Sequence, residues 1–234
     1  MNRTTRTTAT LAALALLPAL ASAAQAAPPR MYHTVSHELA YLEAVQVDEC
    51  QETHLWVSAA QGHYAGLHGP SNKQQGPSGV LVQVIDTCAE LPDGPGTAAA
   101  EPGGDIVLEV QAQAMIGVSM DQQLTWARFV GTLEGTDQDG NPVSVHVDAA
   151  WSGVGPLEHT TGHANVRLDG GNVNSANNDW RRDATGVATV ALDGQTLPGF
   201  SGDGVLERTK SHCIEIPKGK PSDEEFNPCF GFPG

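Results

Sequence analysis

The sequence predicts an all-β chain: one antiparallel sandwich or flattened barrel of about eight to ten strands with little helix. Three observations carry that expectation. Apolar residues recur at every second position through most of the chain, which places them on one face of a strand. Those stretches are rich in Val, Ile and Thr, which suit a pleated surface. Clusters of Gly, Pro, Asn and Asp separate them at short intervals, and no long stretch repeats every 3.6 residues. Apolar faces on alternate residues need a second layer to cover them, hence a sandwich or barrel.

The first 26 residues are expected to lie outside the domain. Arg3 and Arg6 precede an apolar run from Leu11 to Leu20, and the small-residue triplets Ala21-Ser22-Ala23 and Ala24-Gln25-Ala26 follow. That order of charge, apolar stretch and A-x-A site reads as a signal peptide, about half the length a bilayer span needs. Cleavage is expected after Ala26, with Ala23 as the alternative, giving a secreted or periplasmic product. With two arginines removed, the mature chain carries a formal charge of about −17 in place of −15. Such a balance argues against nucleic acid and anionic membrane surfaces as partners, since both are bound through Lys and Arg. Solubility outside the cell is the preferred reason for the acidity, over a cation-binding surface. No second apolar run reaches the roughly 18 residues that a membrane span requires.

A single domain is expected over residues 36–216. Ser36–Val45 is ambiguous, because Ser36 suits a helix N-cap. Tyr41–Asp48 and His54–Gln61 read as strands flanking a turn that carries Cys50. Gly79–Thr87 is an apolar strand running into Cys88, and Asp105–Ala114 alternates Ile106, Leu108 and Val110 against Glu109 and Gln111. The clearest hairpin joins Ala127–Glu134 to Pro142–Trp151, where Val143, Val145, Val147, Ala149 and Trp151 share one face. Between them Asp139-Gly140 suits a turn needing φ > 0. Glu158–Leu168, Ala184–Leu192, Gly204–Lys210 and a short Cys213–Ile216 complete the strands. Gly62–Ser78, Ala89–Gly104 and Asp169–Asp179 read as loops. Residues 217–234 read as a Pro/Gly-rich acidic tail, irregular because proline cannot donate to a ladder.

Cys50, Cys88, Cys213 and Cys229 form an even set. In an exported chain they read as two disulfides, with three possible connectivities. Pairing 50–88 with 213–229 is preferred, and the tail is then tethered through Cys229. A zinc site would want closer pairs, and the shortest gap here is sixteen residues.

At Val147-Asp148-Ala-Ala-Trp151-Ser-Gly153-Val-Gly155-Pro156, then Val173-Asn174-Ser175 and Arg182-Asp183-Ala184-Thr185-Gly186-Val187, the chain resembles a known set. It is similar to a loosely defined group of uncharacterised exported bacterial β proteins. In these, a Trp-x-Gly-x-Gly-Pro turn precedes a polar hairpin and an Arg-Asp-Ala strand. The likeness covers roughly residues 41–210 and is specific over about 125–190; the tail with Cys229 departs from it. It implies an exported β fold and transfers no activity.

Local signals for catalysis are weak. His159 and His163 stand four apart, which on a strand is about 13 Å, too far for one metal ion. His63 and His68 fall in a Gly/Pro loop, and no H-E-x-x-H occurs among the nine histidines. Asp137, Asp139 and Asn141 resemble calcium ligands, but Gly140 is misplaced for an EF-hand and a hairpin turn explains them. Gly199-Phe200-Ser201-Gly202 lacks the final glycine of a nucleophile elbow. Neither a metal nor a cofactor is expected.

Asn172 to Arg182 is the most unusual polar segment. Its Asn178, Trp180, Arg181 and Arg182 are the candidate ligand-binding residues, because fork hydrogen bonds and stacking suit a carboxylate or a sugar. The bland reading is an Asn-rich hairpin with Trp180 entering the core and the arginines paired to local acids. Three functional classes follow. The first is a non-catalytic exported binding or envelope-associated protein, engaging a small molecule, a glycan or an envelope component. The second is a secreted glycan hydrolase using two of the 27 acidic residues. The third is a structural or surface-interaction protein.

Overall fold

A computed structural model describes residues 31–66, 72–88, 104–168 and 171–217. Twelve strands occupy them: β1 (Met31–Asp48), β2 (Gln51–Gly66), β3 (Asn72–Gln75), β4 (Pro77–Asp86), β5 (Asp105–Met115) and β6 (Ser119–Met120), then β7 (Trp126–Asp137), β8 (Pro142–Gly153), β9 (Glu158–Leu168), β10 (Gly171–Leu192), β11 (Gln195–Thr196) and β12 (Phe200–Pro217). Eight of them follow the order β1-β12-β10-β8-β7-β5-β4-β2, and β2 returns to pair with β1. The ring is closed and antiparallel, so the fold is a barrel, and closure removes the free edges of an open sheet. Among the described residues no helix is long and apolar enough to cross a membrane.

Alternation decides what faces inward. Leu42, Leu55, Val82, Val110, Phe129 and Leu133 fill the interior with Trp151, all essentially buried. Outward positions mix polar pairs with exposed apolar side chains: Arg128 reaches Asp148 at 3.0 Å and Gln83 donates to Glu109 at 2.7 Å, while Trp126, Val130 and Val187 also face out. The Trp151 indole needs room and a partner. Room comes from glycines: a Cβ on Gly204 would stand 3.1 Å from Trp151 Cδ1 and only 2.3 Å from the Tyr41 carbonyl. The partner is that same carbonyl, which accepts from Trp151 Nε1 at 2.8 Å.

Ser36 caps no helix. It pairs with Lys210 on one side and His63 on the other, because Ala40, Leu42 and Ala44 alternate into the core. The hairpin of β7 and β8 forms as the alternation requires, with Gly140 at φ 81°. Asp137 organises its turn, accepting from the Asn141 and Asp139 N–H groups and the Asn141 amide. Those hydrogen bonds, led by the Asn141 side chain, hold the Asp137 carboxyl below its usual pKa. The carboxylate is thereby used by the turn.

Three expectations about boundaries are corrected. Asn172–Asp179 is strand, since β10 begins at Gly171; residues 169–170 lie outside the described ones. Asn and Ser favour turns, but here the segment is laddered to β9 on one side and β12 on the other, and pairing overrides a weak propensity. The Gly62–Ser78 loop is largely strand as well, with β2 running to Gly66, β3 at Asn72–Gln75 and β4 starting at Pro77. Gly204–Lys210 and Cys213–Ile216 are one strand, β12, because its ladders to β1 and β10 continue through Ser211-His212. The loop expected at Ala89–Gly104 falls outside the described residues up to 103, as do residues 1–30 and the tail beyond Pro217.

Cys50 and Cys88 are joined by a disulfide, tying the β1–β2 turn to the end of β4. Cys213 is disulfide-bonded too, while Cys229, its expected partner, lies outside the described residues. Disulfides are the chemistry of an oxidising compartment.

Candidate functional site

The barrel interior is filled, so concave surfaces lie around it. Two long strands create the first. The C-terminal half of β10 pairs with β8 inside the ring, and its N-terminal half pairs with β9; β2 likewise exchanges β4 for β3. Strands β9, β10, β12, β1, β2 and β3 therefore continue beyond the ring as a flared sheet. Opposed residues of antiparallel strands share a face, and the register sets the rows on it. One row reads His159, Trp180, Arg208, Glu38, Gln61; the next Thr161, Asn178, Lys210, Ser36, His63; the next His163, Ala176, His212, Thr34.

The four candidate residues divide between the two sides. Period two puts Asn178, Trp180 and Arg182 on this face and Arg181 on the other, where it lies 3.4 Å from Glu207. Trp180 packs partly against the core and stacks on His159, with ring centroids 4.9 Å apart and planes 9° from parallel. His159 Nε2 lies 3.4 Å from Asn178 Oδ1. Arg182 donates to the Gln123 carbonyl at 3.3 Å. Neighbours in a strand point apart, so Arg181 and Arg182 stand on opposite faces and only Arg182 shares the face of Trp180.

Sequence reasoning missed Glu38, Gln61 and Arg208, which close the barrel end under this face. The connection between β5 and β7 folds over that end and buries Val118 and Leu124. Arg208 holds it, donating to the Asp121 and Gln122 carbonyls at 2.9 and 2.8 Å and to Glu38 at 3.1 Å. Gln61 adds a 3.4 Å hydrogen bond to Glu38. Burial opposes ionisation of Asp121, but the N–H groups of Trp126 and Thr125 and the Thr125 hydroxyl outweigh it and lower its pKa. No local motif announces this cluster; Glu38 and Arg208 are 170 residues apart.

The second concave surface is a groove of about 780 Å³ on the outer wall of β1, β12 and β10, lined by Tyr41, Glu43, Asp183 and Asp203 with Val45, Val154 and Val205. Glu43 stands directly opposite Asp203. Burial, the Glu43 charge and a hydrogen bond to Glu43 all raise the Tyr41 pKa, so its hydroxyl stays protonated as a donor.

His159 and His163 both lie on β9, and His63 on β2, while His68 is outside the described residues. Among the described residues no three His, Cys, Asp or Glu side chains converge as a metal site. Ser201 sits on β12 opposite Val187, in a regular ladder and not at an elbow. No family model matches this chain, and no curated protein or solved structure matches it either.

Proposed function

We propose that the chain is an exported, non-catalytic binding protein that takes a polar ligand, with a glycan or a glycan-bearing envelope component as the first class. The carrying observation is the stacked His159–Trp180 pair, set beside the Asn178 amide on an open sheet face. Aromatic faces with flanking amides suit the apolar and hydroxyl surfaces of a sugar ring. A filled barrel offers no internal calyx, which leaves the outside for binding. Export is supported by the amino-terminal charge, apolar run and A-x-A order, and by cysteines paired as an oxidising compartment allows.

Replacing Trp180 with Ala is expected to weaken glycan binding roughly tenfold or more, on a glycan array followed by calorimetry, with an unchanged far-UV CD spectrum. Equal affinity in that variant would remove the site. The groove favours a second reading, glycan hydrolysis by paired carboxylates, since Glu43 faces Asp203 beside the Tyr41 donor. Turnover of a polysaccharide, abolished in Glu43→Gln or Asp203→Asn, would replace the binding reading with the enzymatic one.

A further inference from the structure

We propose that His163 and His212 form a divalent transition-metal site on the flared face, with Cu(II) the tightest ligand. The two residues are 49 positions apart in sequence, yet both are the direct cross-strand partners of Ala176, one from β9 and one from β12. Their side chains thus rise from the same face with only a methyl group between them. They line one depression of about 380 Å³, together with Asn165, Asn174 and Ile214. Two strand spacings separate their Cα atoms by about 10 Å. Imidazoles turned so that their Nε2 atoms point toward one another over Ala176, each at about 2.0–2.1 Å from a shared ion, would span such a gap.

The surroundings of His212 favour ligation. Its Nδ1 lies 3.1 Å from Thr34 Oγ1. In the tautomer that donates Nδ1–H to this hydroxyl, Nε2 keeps its lone pair for a metal. Ligating histidines characteristically have such a partner on the second ring nitrogen, which orients the ring. Asn165 and Asn174 oppose one another in the adjoining row and offer carboxamide oxygens; water completes the set. Two imidazoles with oxygen donors suit a tetragonal ion, and the general order of affinities places Cu(II) above Ni(II) and Zn(II). The acidity of the whole chain, formally −15, draws cations toward it. His159 stands on the same face but is stacked on Trp180, so it serves as the internal control. This site adjoins the Trp180 surface and does not rest on the glycan reading.

The test is a titration of the untagged mature protein with Cu(II), followed by calorimetry and electron paramagnetic resonance. One ion per chain with nitrogen hyperfine structure is expected. His163→Ala and His212→Ala should each weaken uptake roughly tenfold or more, Thr34→Val should weaken it less, and His159→Ala should leave it unchanged. Both histidines are exposed, so the variants are expected to keep the wild-type thermal transition. Absence of uptake, or uptake that both variants retain at wild-type affinity, would overturn the proposal.

Discussion

Replacing Trp151 with Ala is expected to destabilise the protein by about 3–5 kcal/mol, the range for removing a buried aromatic side chain. Trp151 is only 2% exposed and belongs to the buried core of the barrel. Its neighbours cannot close the gap cheaply. Gly186 and Gly204 beside it have no side chains to swing inward, and the strands that carry them are held on both sides by ladders. The substitution also removes the indole N–H that binds the Tyr41 carbonyl at 2.8 Å, a hydrogen bond worth about 0.5–1.5 kcal/mol net. For a domain of this size the midpoint of thermal unfolding should fall by roughly 2–4 °C per kcal/mol. Urea titration followed by CD measures the free energy directly. A loss below about 1 kcal/mol would mean that the barrel collapses around the cavity and that Trp151 is not a major packing residue of the core.

The second large effect is expected from the Cys50–Cys88 disulfide, which links residues 38 positions apart in sequence. In the chain-entropy account, releasing it in a Cys50→Ser/Cys88→Ser variant costs roughly 3–4 kcal/mol, because the unfolded chain regains the freedom the link removed. The barrel should still close, since the β1–β2 and β2–β4 ladders run up to the bond without depending on it. A lowered denaturation midpoint with an unchanged CD spectrum is the expected pattern. Loss below about 1 kcal/mol would show that β1, β2 and β4 already confine this segment in the unfolded ensemble.

Much of the barrel wall was legible because strand alternation is a local property. Val143, Val145, Val147, Ala149 and Trp151 announce a buried face without reference to any partner, and Asp139-Gly140 announces the turn before it. The disulfide between Cys50 and Cys88 was legible because Cys213 and Cys229 lie close in sequence, which leaves Cys50 to pair with Cys88. The Asn172–Asp179 segment was not, since its residues favour turns in isolation and become strand through hydrogen bonds supplied by β9 and β12. Its division into faces follows from the same alternation once it is strand: Trp180 and Arg181 must point apart.

By itself, then, the sequence determined where the clearest alternating strands of the wall lie, such as Pro142–Trp151, and which of their sides is apolar, because a two-residue period needs only neighbours along the chain. Barrel closure, register and the surfaces outside the ring were decided by the tertiary structure alone. Closure joins Met31–Asp48 to Phe200–Pro217 at the opposite end of the sequence. Register then brings Arg208 to Glu38 and sets His163 and His212 on either side of Ala176. Each of these depends on pairing across many intervening residues, and a one-residue slip in any ladder would turn those side chains to the other face.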